Sequence, residues 1–215
     1  MEIPLLGGSY EGRSTNVSSE TCINWFYEKG IGGESLVPTK GATVFSSLTG
    51  GEVRGCLDYN DLAWFVCGST LYSVNASGNN TARGSLNTSS GRVSMAHNGT
   101  RTGANQQIMI IDGLSGYIYD NNTGVLSDIT DPDFVSGTSN TFMDGYFIWT
   151  QKDSDRFWIS ALYDGTAIDP ADFSTAEGGP DKLKAVLADR RELYLFGENS
   201  LEVWYNAGDP DNTFQ

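Results

Sequence analysis

The chain has little charge, few cysteines, one histidine and no long apolar run. Charged residues make up 19% of its 215 residues, below the usual share of about 25%. No apolar run approaches the ~18 residues of a membrane-spanning helix, and Met1–Leu6 lacks the basic start and long apolar stretch of a signal peptide. Three cysteines without a C-x-x-C pair exclude a disulfide-rich scaffold and predict no structural zinc.

Glycine and aromatic residues are abundant instead. There are 26 glycines, and aromatic residues make up 12% of the chain, whereas glycine usually accounts for about 7%. This balance favours short strands and tight turns over long amphipathic helices. Because apolar residues still make up 39% of the chain, a packed core is possible and disorder is not expected. We therefore predict an all-β globular fold.

A unit of three hairpin-linked strands plus a variable fourth repeats along the chain from residue 51. Its third strands begin near residues 71, 117, 157 and 201, at separations of 46, 40 and 44 residues. Asn-Gly and Asp-Gly pairs between apolar runs indicate type I′ turns. This period predicts β-propeller blades, whereas a β-sandwich would give short strands without so regular a unit. The predicted blades are residues 51–88, 91–130, 138–175 and 182–215.

The fourth copy is irregular and incomplete. We predict a strand at Lys184–Ala188 followed by a turn near Asp189-Arg190, but Leu183, Val186 and Leu187 also have helical spacing, so a short helix is the alternative. The copy stops after its third strand, which would leave an open sheet edge. The fourth strand could come from the first residues of the chain, from a partner subunit or from further chain. We favour the last and expect an N-terminal portion of a longer protein.

Residues 1–50 do not fit the repeat. They are rich in glycine and serine and contain one aromatic island, Cys22–Tyr27. We predict an extended N-terminal arm whose island packs on the propeller or on a neighbouring subunit, preceding a propeller domain over residues 51–215.

The chain is strongly acidic. Its 27 acidic and 13 basic residues give a formal net charge of −14, whereas a protein that grips phosphates needs the opposite sign. The basic clusters Arg190-Arg191 and Lys182/Lys184 are too small to reverse this balance. The charge either keeps a solvated surface soluble or lines a channel through which another polyanion passes without sticking.

Loop carboxylates are frequent, but no combination marks an active site. They include Asp128, Asp131, Asp133, Asp153, Asp155, Asp169, Asp172, Asp209 and Asp211. A glycosidase needs two carboxylates ~5–10 Å apart, a spacing that so many loop carboxylates meet by chance. The stretch Asp128–Asp133 could hold calcium but lacks the glycine and distal glutamate of an EF-hand. We predict no catalytic, cofactor-binding or metal-binding residue and no cofactor.

Three other features have structural interpretations. Asp153–Trp158 is only weakly similar to the Asp-box turn of sialidase propellers, and no phosphate-binding loop is present. The one histidine, His97, precedes the Asn98-Gly99 turn, where we expect a structural hydrogen bond. Four tryptophans lie in predicted strands and are assigned to the core, with a sugar-binding platform as the alternative. They are Trp64, Trp149, Trp158 and Trp204.

Several segments together resemble the packaged-DNA stabilisation protein of short-tailed phages, also described as the tail hub or nozzle. The main one is Gly91–Gly99, followed about ten residues later by an apolar strand ending in Asp112-Gly113. The similar segments occur in the same order over nearly the whole chain. The order and spacing of these segments, rather than any single motif, support the resemblance. The other segments are Asn24–Glu28, Val53-Arg54-Gly55, and Phe196-Gly197 with Glu202–Tyr205.

The resemblance implies a non-enzymatic virion protein of the phage tail, made in the host bacterial cytoplasm. It implies a homo-oligomeric ring, expected to be a hexamer, below the portal and adaptor, with the tail needle and tailspikes as further partners. Such a ring would continue the DNA channel, and six copies would carry roughly −84 formal charges, so DNA would pass without specific binding. The alternatives are a carbohydrate-binding or glycan-hydrolysing propeller in host-receptor recognition, and a bacterial adhesion or scaffold propeller, which the lack of a signal peptide disfavours.

Overall fold

The computed structural model describes residues 23–30, 33–176, 178–179, 181–209 and 213–215. These residues form seventeen β-strands and no helix, so the described part of the chain contains no helix able to cross a membrane. The chain divides into two compact units, Met1–Phe45 and Ser46–Gln215.

The described part of the first unit is a β-hairpin. Strand β1 (Trp25–Gly30) pairs antiparallel with β2 (Gly33–Pro38). The three aromatic residues of the island, Trp25–Tyr27, therefore lie in a strand, with the side chains of Trp25 and Phe26 about half exposed. Within the predicted arm, residues 1–22, which include Cys22, and residues 31–32 lie outside the described residues. The expected packing of the island on the propeller or a neighbour stays a prediction.

The second unit contains four antiparallel sheets in chain order, arranged as propeller blades. Blade 1 consists of β3 (Val53–Tyr59), β4 (Leu62–Cys67), β5 (Thr70–Val74) and β6 (Asn80–Ser85). Blade 2 consists of β7 (Ser94–His97), β8 (Gln107–Ile111), β9 (Gly116–Asp120) and β10 (Val125–Asp128). Blade 3 consists of β11 (Gly137–Met143), β12 (Tyr146–Gln151), β13 (Arg156–Ile159) and β14 (Phe173–Thr175). Blade 4 consists of β15 (Leu183–Asp189), β16 (Glu192–Gly197) and β17 (Leu201–Tyr205). The predicted all-β propeller fold is confirmed.

Tight turns with two residues at positive φ join the first two strands of blades 1, 3 and 4. The pairs are Asn60-Asp61 (56° and 59°), Asp144-Gly145 (50° and 98°) and Arg190-Arg191 (49° and 67°). This geometry is that of type I′ turns, whose twist matches that of the flanking strands. The last turn lies one residue later than the predicted Asp189-Arg190.

The segment with helical spacing in blade 4 is strand β15. Its pairing with β16 shifts register between Leu183 and Ala185, as in a β-bulge. The extra residue places Leu183 and Val186 in the same core cluster, although they are three residues apart. The alternative of a short helix is therefore wrong, because a bulged strand gives the same spacing of buried residues.

The core lies between successive blades. Trp64, Val66 and Leu71 of blade 1 pack with Ile108, Ile110 and Tyr117 of blade 2. Met109, Ile111 and Ile118 of blade 2 pack with Phe147, Trp149 and Trp158 of blade 3. Ile148, Phe157 and Ile159 of blade 3 pack with Val186, Leu193 and Leu195 of blade 4. Alternate residues of β8 thus contact different blades, which explains why the whole strand is apolar.

Hydrogen bonds also link the first strands of successive blades. The Val93 amide, just before β7, donates to the Arg54 carbonyl of β3 (3.0 Å). The Asn140 amide of β11 donates to Ser94 Oγ of β7 (2.9 Å), and the Val186 amide of β15 donates to Ser139 Oγ of β11 (3.2 Å). These bonds satisfy buried backbone groups and fix how far each blade is displaced along its neighbour.

Residues 213–215 return to the outer edge of blade 4. The amide of Tyr205 donates to the Gln215 carbonyl (2.8 Å), and the Gln215 amide donates back to Tyr205 (3.0 Å). Phe214 is buried in the cluster between blades 3 and 4, where its ring contacts Phe157. The described end of the chain therefore covers part of the edge that was expected to be open.

The close approach of blades 1 and 2 at Gly55 predicts the effect of adding one methyl group there. An alanine Cβ would lie 2.6 Å from the Val93 carbonyl oxygen, and neither strand can yield without losing hydrogen bonds. We expect Gly55→Ala to reduce the free energy of unfolding by about 2 kcal/mol, measured by urea denaturation. Gly41→Ala, where the added Cβ meets no atom within 4 Å, is the control, and equal effects of both substitutions would contradict the packing described.

Candidate functional site

The most connected polar group of the described residues is the guanidinium of Arg54, between blades 1 and 2. Its side chain is 7% exposed, and all five N–H donors of an arginine have acceptors. Nε donates to the Gly91 carbonyl (2.7 Å), Nη1 to the carbonyls of Gly68 and Thr88 (both 2.8 Å), and Nη2 to Thr88 Oγ1 and the Ser90 carbonyl (both 2.8 Å). Arg54 therefore joins a turn of blade 1 to the connection that leads into blade 2.

The hydroxyl of Thr88 links this cation to Asp112. It donates to Asp112 Oδ2 (2.6 Å), which also accepts a hydrogen bond from the Tyr117 hydroxyl (2.9 Å). Asp112 Oδ1 accepts from the amides of Ser115 (2.7 Å) and Leu114 (3.0 Å). We call these residues the Arg54–Asp112 network. Arg54 and Asp112 are the charged side chains that are buried in the described part of the chain.

Hydrogen bonding decides the ionisation of Asp112. Burial is the largest single effect and raises the pKa of its carboxyl, but the hydrogen bonds from Thr88, Ser115, Leu114 and Tyr117 together hold that pKa below its ordinary value. The pKa of the Tyr117 phenol is raised, first by its burial. A carboxylate that stays ionised and accepts four hydrogen bonds is a structural group without spare acceptor capacity for a substrate.

The sequence did not predict this network, although it drew attention to Val53-Arg54-Gly55 and Asp112-Gly113. Its two charged members belong to different blades and are separated by more than one repeat. A pattern of apolar residues identifies only apolar positions as buried, so it cannot show that a charged residue is buried.

Two of the predicted loop carboxylates, Asp131 and Asp169, accept hydrogen bonds from backbone amides. Asp131 accepts from the amides of Asp133 (2.9 Å) and Ile168 (3.2 Å), and Asp128 accepts from the side-chain amide of Asn87 (3.2 Å). Within the described ranges, no three His, Cys, Asp or Glu side chains are grouped as a metal site requires. The calcium alternative at Asp128–Asp133 therefore receives no support from the geometry.

The remaining carboxylates are spread over separate loops. Asp153 and Asp155 lie in the exposed turn between β12 and β13, and Asp211 is outside the described residues. Asp169 accepts from the Ala171 amide (2.9 Å). The pKa of Asp172 is raised, first by burial and then by the negative charge of Asp169.

His97 and the four tryptophans have structural positions. Nδ1 of His97 accepts a hydrogen bond from the Gly99 amide (2.9 Å), as predicted, and its ring stacks on Tyr59. Burial is the main cause that lowers the pKa of His97. Trp64, Trp149 and Trp158 are buried, while Trp204 is partly buried and donates through Nε1 to Glu202 (2.9 Å). None of these four rings therefore lies open as a platform for a sugar.

One apolar surface of the described propeller is exposed on a regular sheet. It is the outer face of blade 4, hereafter the blade-4 face, whose large side chains are 37 to 57% exposed. Register places Leu201 opposite Phe196, and Val203 in the row of Tyr194 and Leu187. Its members are Leu187, Phe196, Leu201, Val203 and Tyr205.

Comparisons with known proteins identify one family and several structures of similar fold. A family model described as bacteriophage P22 Gp10, beta-propeller, matches residues 1–215. The designed protein Ika4 is 9% identical with a TM-score of 0.54, and the match covers 77% of this chain and 99% of that one. Virginiamycin B lyase from Staphylococcus aureus is 12% identical with a TM-score of 0.54, and the match covers 84% of this chain and 58% of the lyase.

These two structures share only the fold with this chain, since their sequence identities are low. The chain spans little more than half of the lyase chain. A comparison with curated proteins finds no match.

The Arg54–Asp112 network predicts a large cost for removing the guanidinium. Arg54→Met keeps an apolar stem but leaves the buried acceptors of blades 1 and 2 without donors. We expect the free energy of unfolding to fall by about 3 kcal/mol, measured by urea denaturation with circular dichroism. Arg92→Met, at an exposed position, should change it by less than about 0.5 kcal/mol; similar losses for the two variants would refute the role of Arg54.

The lowered pKa of Asp112 predicts acid-sensitive stability. Because the carboxyl ionises more readily in the folded chain than in the unfolded chain, where its pKa is about 3.9, its stabilisation is present above that pH and is lost as pH falls through the folded pKa. Asp112→Asn should lower the Tm most at neutral pH, and the deficit should shrink below about pH 4. Thermal unfolding from neutral to acid pH tests this, with Asp61→Asn in the exposed β3–β4 turn as control. A deficit that does not change with pH would contradict the assignment.

Proposed function

The chain belongs to the bacteriophage P22 Gp10 β-propeller family of phage packaged-DNA stabilisation proteins, and from this premise we propose that it is a structural subunit of a short phage tail. It assembles as a ring, a hexamer, below the portal and adaptor, and continues the DNA channel. The ring retains packaged DNA until ejection. The match of the family model to residues 1–215 carries this proposal.

The charge distribution supports a role in which DNA passes without being gripped. The chain carries a formal net charge of −14, and several basic side chains already have acceptors within the protein. Lys184 Nζ lies 2.7 Å from Glu198, Arg191 lies 3.7 Å from Asp144, and Arg54 is internal. Since affinity for DNA rises with each phosphate that a lysine or arginine neutralises, such a subunit opposes the movement of DNA by shape and closure rather than by binding.

The family is one of phage structural proteins, and the buried polar groups support a structural role. Arg54, Asp112 and Asn140 all use their hydrogen-bonding groups to join blades. We therefore propose that this chain performs no reaction. Its partners are other copies of itself, the portal-adaptor, the tail needle and the tailspikes, and it is made in the host bacterial cytoplasm before joining the virion tail.

Retention of DNA by tail-deficient phage heads tests the proposal. We expect the protein to co-sediment with DNA-filled heads that carry the adaptor and to slow the loss of DNA from them, measured as nuclease-accessible DNA over time. Heads without the adaptor serve as the control and should not bind the protein. Free double-stranded DNA should not co-sediment with it at physiological salt, because of its net negative charge.

Failure to bind adaptor-bearing heads would contradict the position in the tail. Binding that leaves the rate of DNA loss unchanged would contradict the retention role. Equal binding to free DNA would contradict passage without specific contact.

A further inference from the structure

Asn98 and Gly99 form the only Asn-Gly pair in the sequence, and they begin the connection between β7 and β8. The same connection is a two-residue turn in blades 1, 3 and 4, whereas in blade 2 it runs over residues 98–106. In an Asn-Gly pair the glycine nitrogen can attack the side-chain carbonyl carbon of the asparagine, because glycine has no Cβ to hinder the approach. The surroundings of this pair therefore decide whether the chain can modify itself here.

The amide nitrogen of Gly99 is hydrogen-bonded to a base. Its N–H donates to Nδ1 of His97 (2.9 Å). Because Nδ1 accepts, the neutral imidazole carries its own proton on Nε2. Burial first, and then the positive charge of Arg101, lower the pKa of His97, while the negative charge of Asp58 acts in the opposite direction. The imidazole is therefore neutral at neutral pH and able to take up a proton through Nδ1.

Three hydrogen bonds fix the carboxamide of Asn98, whose side chain is buried. Oδ1 accepts from the amides of Thr100 and Gln107 (both 3.3 Å), and Nδ2 donates to the Asn105 carbonyl. When a nucleophile adds to Cγ, negative charge develops on Oδ1, and two amide donors stabilise that charge as an oxyanion hole does. The contacts that bury this side chain are thus contacts that favour the attack.

Tyr59 of blade 1 holds the base and the connection together. Its ring stacks on the ring of His97, and its hydroxyl donates to the Thr100 carbonyl. The imidazole and the segment that contains the Gly99 amide are therefore fixed by the same buried side chain. Such restriction favours an intramolecular step, because the reacting groups lose little further freedom in the transition state.

We propose that Asn98 is a self-deamidation site, with the Gly99 nitrogen as nucleophile and His97 as base. A bond forms between Asn98 Cγ and the Gly99 nitrogen while Nδ1 of His97 takes the amide proton. The bond between Cγ and Nδ2 then breaks, and Nδ2 leaves as ammonia with a proton returned by the imidazole. Water opens the resulting cyclic imide at either carbonyl, which gives aspartate or isoaspartate. Gly99 is exposed, so water reaches the ring from that side.

The reaction occurs once in each chain and converts no external substrate, so it is independent of the structural function proposed above. Both products replace the Nδ2 donor by an oxygen, which the Asn105 carbonyl repels. Isoaspartate also lengthens the backbone by one carbon where the Asn98 amide donates to the Gln107 carbonyl (3.1 Å). We therefore expect the modified chain to hold residues 98–106 less firmly and to have a lower Tm.

Incubation of the purified, folded chain at neutral pH tests the proposal. Cleavage after Arg92 and Arg101 releases residues 93–101, in which mass spectrometry measures the deamidated fraction and chromatography separates aspartate from isoaspartate. His97→Gln keeps an acceptor for the Gly99 amide but cannot take its proton, and should slow deamidation about tenfold or more. His97→Phe keeps a ring that can stack on Tyr59 and should slow it similarly. Cooperative thermal unfolding of both variants shows that they remain folded.

Two comparisons separate the base from a merely structural histidine. In urea-unfolded chains all three proteins should deamidate at similar rates, because unfolding removes the fixed contact between His97 and the Gly99 amide. Between about pH 7 and pH 5 the rate of the folded, unaltered chain should fall more steeply than that of His97→Gln, since a protonated imidazole cannot take up a proton. Equal rates for the three folded proteins, or intact Asn98 in the folded chain after the unfolded chain has reacted fully, would overturn the proposal.

Discussion

The structure depends on burial of apolar sheet faces between successive blades. An apolar sheet face must be buried against another element, so a blade that is apolar on both faces needs a neighbour on each side. Strand β8 meets this need on both sides, since Ile108 and Ile110 pack with blade 1 while Met109 and Ile111 pack with blade 3. The same requirement makes the exposed outer face of blade 4 the exception among the described blades.

Apolar packing is not directional, so the relative displacement of the blades needs directional contacts. The amides of Asn140 and Val186 supply them through the serine hydroxyls of the preceding blade. Between blades 1 and 2 a buried arginine provides the directional contacts. Its desolvation is costly unless every donor has an acceptor. Arg54 meets that condition with four carbonyls and one hydroxyl, and Thr88 connects it to the carboxylate of Asp112. A network in which each member is satisfied adds rigidity and leaves no reactive group exposed.

Apolar packing that joins the blades and hydrogen bonds that set their displacement are consistent with a structural protein of the packaged-DNA stabilisation family. Its interior is occupied by interblade packing and hydrogen bonds, while the predominantly acidic side chains remain for the surface. The proposed role makes two opposing demands, since a ring has to assemble from copies of this chain and yet let a polyanion pass.

The amino-acid sequence by itself determined the blades. The turn at Asn60-Asp61 and the apolar run of β8 are local features, because positive φ and alternation depend on residues adjacent in the chain. Local patterns were misleading at Leu183 and Val186, where a bulge imitates helical spacing, and at Arg190-Arg191, where a type I′ turn forms without glycine or asparagine. Only the tertiary structure decided that Arg54 reaches Asp112 through Thr88. The physical reason is that burial and side-chain hydrogen bonds depend on which sheet lies opposite, and residues far apart in the chain supply that sheet.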